Sequence, residues 1–168
     1  MIEPAHLVEQ AERLLAVLPG QERPRLADRC RAVSATYYAV FHAGLKAAAD
    51  QSVGEDKRGS SLYSLAYRSI DHGKMRSLCV EIKKQNPSQK YSRYWPAGGF
   101  DAQITGYADA FIDLYEQRML ADYDPSHVLT VSEVEHFILI AKSALTGLEA
   151  ASEDSKTAFL TLLLFPPR

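Results

Sequence analysis

The segment from residue 31 to residue 45 constrains the fold most, because it predicts one long helix with two unlike faces. Its apolar side chains recur every four residues, the spacing of one helix face: Val33, Tyr37, Phe41 and Leu45. A second row, called here the polar row, carries a cation, a hydroxyl, a phenol and an imidazole: Arg31, Ser34, Tyr38 and His42. A solvated face usually carries lysine and glutamate instead. The polar row therefore predicts an internal polar network or a ligand site.

The rest of the chain is also helical in pattern, and its length of 168 residues suits one domain. Helices are expected over about 6–18, 24–50, 62–70, 72–85, 101–122, 130–148 and 155–164. Asp71, Asp101 and Thr130 are expected to cap helices, Thr130 with Glu133 as its capping-box partner. Strand alternation, a glycine-rich phosphate loop and internal repeats are not seen in the sequence. We therefore predict an all-α antiparallel bundle with the short helical pair of residues 60–85 on its side.

Composition narrows the class of protein. Hydrophobic residues make up 46% and charged residues 24%, as in an ordinary soluble globular protein. The net charge of -2 excludes a global basic field for nucleic acid but leaves room for a local site. Cys30 and Cys79 are expected to be free, small buried hydrophobes in a reducing cytosol. The sequence starts without a signal-peptide pattern, and its apolar runs fall short of the ~20 residues of a membrane span, so we expect a cytoplasmic protein with no membrane contact.

Arg118 and Asp122 form a second polar element, one helical turn apart and therefore on one face. As a surface pair they would contribute a few tenths of a kcal/mol. Phe111 and Tyr115 share their strip of the helix, which favours an inward orientation toward the polar row. We predict that Arg118 points into the bundle.

His72 is the candidate proton shuttle. It follows Asp71 at a predicted helix junction, and Arg68 lies one turn earlier. An arginine can neutralise phosphate charge while a histidine moves a proton near neutral pH. The five histidines show no dense pairing with each other or with cysteine, so no metal is expected, and no cofactor is predicted.

The loop from residue 87 to residue 100 mixes aromatic and basic side chains. Its candidate contact residues are Tyr91, Arg93, Tyr94 and Trp95. Such residues can stack on bases and hold phosphate, or anchor a protein interface. The alternative is a loop folded onto its own domain. The apolar run from Phe159 to Phe165 either packs on the bundle or buries against a second subunit.

Two motifs together resemble the HEPN superfamily. They are Ser34-x-x-Tyr37-Tyr38-Ala39-x-Phe41-His42 and, far downstream, Arg118-x-x-Ala121-Asp122-Tyr123-Asp124. The resemblance covers about residues 5–150 and is to the branch with a tyrosine-rich second helix. It implies an antiparallel HEPN-like helical bundle as one domain over residues 1–168, with a C-terminal helix at about 155–164.

The resemblance also implies a homodimer, and a role as a toxin, in phage defence or as partner of a small nucleotidyltransferase. Many HEPN proteins are metal-independent ribonucleases with an Arg-x4–6-His motif. In this chain three residues separate Arg68 from His72, eight separate Arg118 from His127, and ten separate Arg31 from His42. None of these pairs has the motif's spacing.

Three hypotheses follow. The leading one is a dimeric HEPN-like protein of a prokaryotic defence or toxin–antitoxin system that binds a nucleotide, an RNA or a partner protein through an internal polar site. That site comprises Arg31, Ser34, Tyr38, His42, Arg68, Arg118, Asp122 and Tyr123. The second is a metal-independent endoribonuclease with His72 as proton shuttle and Arg118 or Arg68 on phosphate. The third is a structural dimer whose polar row only sets helix register.

Overall fold

The chain folds entirely into helices and turns over the part that the structure, a computed structural model, describes, residues 2–167. The helices are α1 (Pro4–Leu14), α2 (Leu26–Val53), α3 (Ser61–Arg68), α4 (His72–Ile82), α5 (Gln89–Ser92), α6 (Ala102–Tyr123), α7 (Val131–Ala150) and α8 (Glu153–Leu164), with a 3₁₀ turn at Glu55–Lys57. The predicted all-α class is confirmed. Within the same range, none of the helices combines the length and the apolarity that crossing a membrane requires.

Helix α2 is the centre of the bundle, because α1, α3, α6, α7 and α8 all pack against it. Five of its alanines are buried and let neighbouring helices approach closely: Ala32, Ala35, Ala39, Ala48 and Ala49. The closest approach is at Gly44, where an added Cβ would lie 2.6 Å from the Tyr107 hydroxyl and from Cε of Met75. The hydroxyl of Tyr107 in turn donates to the carbonyl of Val40 over 2.7 Å. A glycine at position 44 therefore makes room for a phenol between α2 and α6.

The C-terminal apolar run packs on its own bundle. Phe159, Leu160 and Leu163 of α8 are buried, and the Phe159 ring meets that of Tyr107 edge-on at 5.3 Å. Phe165 is 70% exposed, so the last member of the run remains at the surface. Cys79 is buried and Cys30 half-buried, and both are free thiols as predicted.

The predicted helix starts are confirmed where a side chain caps them. Asp71 accepts from the Lys74 amide, Asp101 from the Ile104 amide, and Thr130 forms the capping box with Glu133. The first residues of α4 and α6 are thereby held in place, and α4 begins with His72. The caps matter for the site because they set the position of this histidine.

The ends of several helices differ from the prediction. α1 ends at Leu14 rather than at position 18, and Val17 and Leu18 are about half exposed, so burial stabilises no further turn. α4 ends at Ile82 instead of near 85, because the Glu81 carboxylate accepts from the Ser88 amide and turns the chain back.

Two helices start at other residues than expected. α2 starts at Leu26 and runs on to Val53, later at both ends than expected. α8 starts at Glu153, two residues before the expected start, because Ser152 caps it, and the loop at 87–100 contains the short α5.

Candidate functional site

The polar row of α2 meets the last turns of α6. Ser34 donates from Oγ to Oδ1 of Asp122 over 2.8 Å. Oδ2 of the same carboxylate lies 2.8 Å from Nε of Arg118, one turn earlier on α6. Both side chains of this ion pair are less than one-fifth exposed. The predicted inward orientation of Arg118 and Asp122 is therefore what the structure has.

The guanidinium of Arg118 lies among three tyrosine rings. Its central carbon is 5.9 Å from the ring centre of Tyr37, 5.8 Å from that of Tyr38 and 5.3 Å from that of Tyr123. Nη2 donates to the Tyr38 hydroxyl over 3.4 Å. The Nε–H bond does not point along a hydrogen bond, so the contact with Asp122 is a close ion pair and not a directed bond. Cation–π attraction and one carboxylate together hold the charge in place.

His72 approaches the same tyrosines from α4. Its Nδ1 lies 2.6 Å from the hydroxyl of Tyr37, and its ring stacks on Phe41 at 4.0 Å between centres. Tyr37 is only 1% exposed, so its O–H needs a partner inside the protein. Donation to Nδ1 meets that need and leaves the ring proton of a neutral His72 on Nε2. The residue as a whole is exposed.

Electrostatics favour a neutral His72. Partial burial lowers the pKa of His72 below its ordinary value, and the positive charge of Arg118 lowers it further, against a smaller opposite effect of Asp71. Burial raises the pKa of Tyr37, so its phenol stays protonated. At neutral pH the site therefore presents a fixed cation and an imidazole N–H donor beside each other.

His42 extends the network toward α3. Its Nδ1 lies 2.7 Å from the hydroxyl of Tyr67, and its ring stacks near that of Tyr38 at 6.1 Å. Burial lowers the pKa of His42, and the nearby His72 adds to the effect. Tyr37 and Tyr67 are members of the network that the sequence did not assign to it. Tyr37 lies on the apolar row, and α3 carries Tyr67 without any motif around it.

Two predicted site residues lie at the margin and one lies outside. Arg31 is 74% exposed in its side chain, with Nη1 3.8 Å from Oδ1 of Asp122. Tyr123 is 66% exposed and covers Arg118 from outside. Arg68 is exposed and makes no hydrogen bond or ion pair within residues 2–167, so it does not join the network that we predicted for it.

Two aromatic residues of the loop at 87–100 pack onto their own domain, although we considered them as contacts to a ligand. Tyr91 is 4% exposed, and Trp95 packs edge-on against Phe100 at 4.7 Å. Both rings belong to the domain's own packing, because burying them removes more apolar surface from water than an open loop would. Only Arg93 and Tyr94 remain exposed. Tyr91 is thus buried and Trp95 half-buried, which agrees with the alternative of a loop folded onto its own domain.

The polar network opens onto a depression at the surface. Leu26, Cys30, Arg31, Tyr38, Arg118 and Tyr123 are among the residues that line it. A larger groove lies elsewhere, between residues 89–101 and α8, and contains no member of the polar row. Within the described part of the chain no three histidine, cysteine or acidic side chains gather as metal ligands would.

Comparison with family models, curated proteins and solved structures finds no match to this chain. The resemblance to the HEPN superfamily consequently remains a prediction that depends on the two sequence motifs.

Proposed function

We propose that this protein is a HEPN-like helical protein that binds the phosphate of a nucleotide or an RNA at the network between α2, α4 and α6. One observation carries the proposal: the Arg118 guanidinium and the His72 imidazole both lie against Tyr37, and His72 is an exposed residue. Phosphate oxygens accept from both kinds of donor. A network that only sets helix register would have no use for an exposed donor.

The charge of the network supports an anionic ligand. Two guanidiniums, those of Arg31 and Arg118, share the single carboxylate of Asp122. Asp124 at the rim of the depression is turned to Ser126, whose hydroxyl and amide it accepts from. Within the group of Arg31, Arg118 and Asp122 one positive charge is left over, which a phosphate would balance, while Asp124 keeps its negative charge at the rim.

The HEPN resemblance extends this proposal to the biology. It favours a homodimer in the cytoplasm of a prokaryote, in a defence or toxin–antitoxin system, with a small nucleotidyltransferase as its protein partner. Size-exclusion chromatography with light scattering measures the oligomeric state directly. A monomer at micromolar concentration would contradict the dimer.

The binding proposal is tested by fluorescence anisotropy with labelled ATP and with a labelled single-stranded RNA. Arg31→Gln and His72→Ala remove exposed groups of the site, and Arg13→Gln and His136→Ala are the matched exposed controls. We expect each site variant to weaken binding about tenfold, or ~1.4 kcal/mol, while the controls bind like the wild type. Absence of saturable binding by the wild type, or equal losses in the controls, would contradict the proposal.

A second candidate is a metal-independent endoribonuclease in which His72 moves a proton and Arg118 stabilises the phosphate. The lowered pKa of His72 and its exposure favour this candidate. The Tyr37 hydroxyl opposes it, because a base at Nε2 requires the Tyr37–His72 hydrogen bond to reverse. Incubation of RNA with EDTA distinguishes the two: cleavage that His72→Ala and Arg118→Ala both abolish supports the enzyme, and intact RNA excludes it.

A further inference from the structure

A second concentration of positive charge lies where the chain enters α2, away from the polar network. Three arginines occur within seven residues, Arg23, Arg25 and Arg29, together with the acidic Glu22 and Asp28. Arg25 is held by Asp28, with 2.8 Å between Nε and Oδ2. Of the three arginines in this cluster, Arg23 and Arg29 therefore have no carboxylate partner in the described part of the chain.

The start of α2 offers free backbone donors beside these arginines. Arg25 occupies the N-cap position, and its side chain makes no capping hydrogen bond. The amides of Leu26 to Asp28 therefore have no hydrogen-bond partner within residues 2–167, while that of Arg29 already bonds to the Arg25 carbonyl. Free amides and the dipole of a long helix both favour a negative charge at this point.

Arg29 supplies the independent evidence for a ligand. It is only 8% exposed, and one nitrogen of its guanidinium, Nη1, donates to the carbonyl of Leu129. Its Nε is completely buried and has no hydrogen-bond partner, and no carboxylate lies within ion-pair distance in residues 2–167. A buried cation without a counter-ion is costly. Arg29 also lines the surface depression that Gln21 and Arg23 border.

The same depression contains a second orphaned polar group. Oε1 of Gln21 is buried without a partner. Rotating this amide by half a turn would present its NH₂ group as a donor at the same place. An acceptor with several oxygens in this depression would serve as the missing partner for the guanidinium of Arg29 and the free amides of α2, with Gln21 at its edge.

We propose that the start of α2 is a binding site for a phosphate group, held by Arg23, Arg29 and the first-turn amides of the helix. Guanidinium groups suit phosphate because their N–H donors form a planar fork that matches its oxygens. The site is separate from the polar network: the two depressions share only Leu26 among their lining residues. The phosphate can belong to a small free compound or to an RNA backbone, and both sources present the same oxygens.

The test uses the full chain and inorganic phosphate as probe, followed by NMR chemical shifts and by isothermal titration calorimetry. Arg23→Gln removes the charge of an exposed side chain that makes no hydrogen bond or ion pair within residues 2–167, so the protein is expected to fold. Arg29→Gln removes the buried cation, and Arg13→Gln is the remote control. The amide signals of Leu26 to Asp28 report this site alone. We expect them to shift saturably in the wild type, with about tenfold weaker affinity in Arg23→Gln, no shift in Arg29→Gln and an unchanged response in Arg13→Gln.

Two results would overturn the proposal. One is the absence of saturable phosphate binding in the wild type, and the other is wild-type affinity in Arg23→Gln. If Arg29→Gln fails to fold by circular dichroism, Arg23→Gln still decides. Because His72→Ala belongs to the polar network, it is expected to leave phosphate binding at α2 unchanged, so failure of either site can be told from failure of the other.

The source of the phosphate is found by repeating the titration with a single-stranded RNA. An RNA affinity that falls in Arg23→Gln and also in His72→Ala, with the losses adding, identifies an RNA backbone that spans both sites. Loss of inorganic phosphate binding in Arg23→Gln with unchanged RNA affinity identifies a small free phosphate compound. Either result supports a phosphate site at the start of α2.

Discussion

The hydroxyl of Tyr37 and Nδ1 of His72 lie 2.6 Å apart and join the buried face of α2 to the first residue of α4. The contact links a side chain that is 1% exposed to one that is open to solvent. It therefore fixes the position of the imidazole relative to the core. It also leaves Nε2 as the nitrogen that carries the proton of a neutral His72.

Tyr37→Phe tests this contact. Removing the hydroxyl is expected to cost about 1 kcal/mol of unfolding free energy, the net value of one hydrogen bond. The pKa of His72 is expected to rise in Tyr37→Phe, because the phenol no longer donates to the neutral ring, although burial and Arg118 still hold it below its ordinary value. Urea unfolding measures the first effect and NMR titration of the imidazole the second. Tyr94→Phe is the control, since Tyr94 is 52% exposed, and an unchanged pKa of His72 would contradict the donor role of Tyr37.

His42 predicts a pH dependence of stability. Burial lowers the pKa of His42 in the folded state below the ~6.5 of the unfolded chain. The folded state then binds fewer protons, so its contribution to stability is complete above pH ~6.5 and is lost as the pH falls through the folded-state pKa. We expect Tm to fall between pH 7.5 and pH 5 and to fall less steeply in His42→Gln. His136→Gln, on an exposed histidine, should keep the wild-type slope, and equal slopes in all three proteins would refute the assignment.

The Arg118–Asp122 pair predicts an energetic coupling larger than that of a surface pair. Arg118→Ala is expected to cost about 2–3 kcal/mol, because it leaves the largely buried Asp122 carboxylate without its main cation. A double-mutant cycle with Asp122→Ala should give a coupling of ~1 kcal/mol or more. The exposed pair Lys142–Glu12 is the matched control, for which less than ~1 kcal/mol is expected. Equal couplings in the two cycles would place Arg118 at the surface in solution.

Two glycines predict opposite effects of the same substitution. Gly44→Ala places a methyl group 2.6 Å from the Tyr107 hydroxyl and should destabilise the protein by about 1–3 kcal/mol. Gly106→Ala meets no atom within 4 Å and lies inside α6, so it should stabilise by about 0.5–1 kcal/mol. Thermal or urea unfolding of both variants measures the pair. A neutral Gly44→Ala would show that Met75 and Tyr107 can move apart at low cost.

The inward orientation of Arg118 could be predicted because its evidence is local. Tyr115 and Phe111 share its helix face, and a helix fixes the relative direction of residues three and four positions apart. The caps at Asp71, Asp101 and Thr130 were predictable for the same reason, since each acts within one turn.

Residues that act between helices could not be predicted in this way. Tyr67 gave no signal, because its partner His42 lies 25 residues away and on another helix. Trp95 could not be assigned to either alternative, since local composition does not tell whether an aromatic ring in a loop finds a neighbour such as Phe100. Arg29 lies near the start of α2 like an ordinary surface cation, and its hydrogen bond to the carbonyl of Leu129, 100 residues away, has no local signal.

The amino-acid sequence by itself determined that the chain is helical, where most helices begin, and that α2 carries an apolar row and a polar row. Hydrophobic periodicity and capping act over a few residues, so they can be read without knowing the fold. Only the tertiary structure decided which side chains meet on the polar row: Asp122 with Ser34, and Arg118 and His72 around Tyr37. These contacts depend on how whole helices lie against one another, and on a few ångströms of approach that no local pattern specifies.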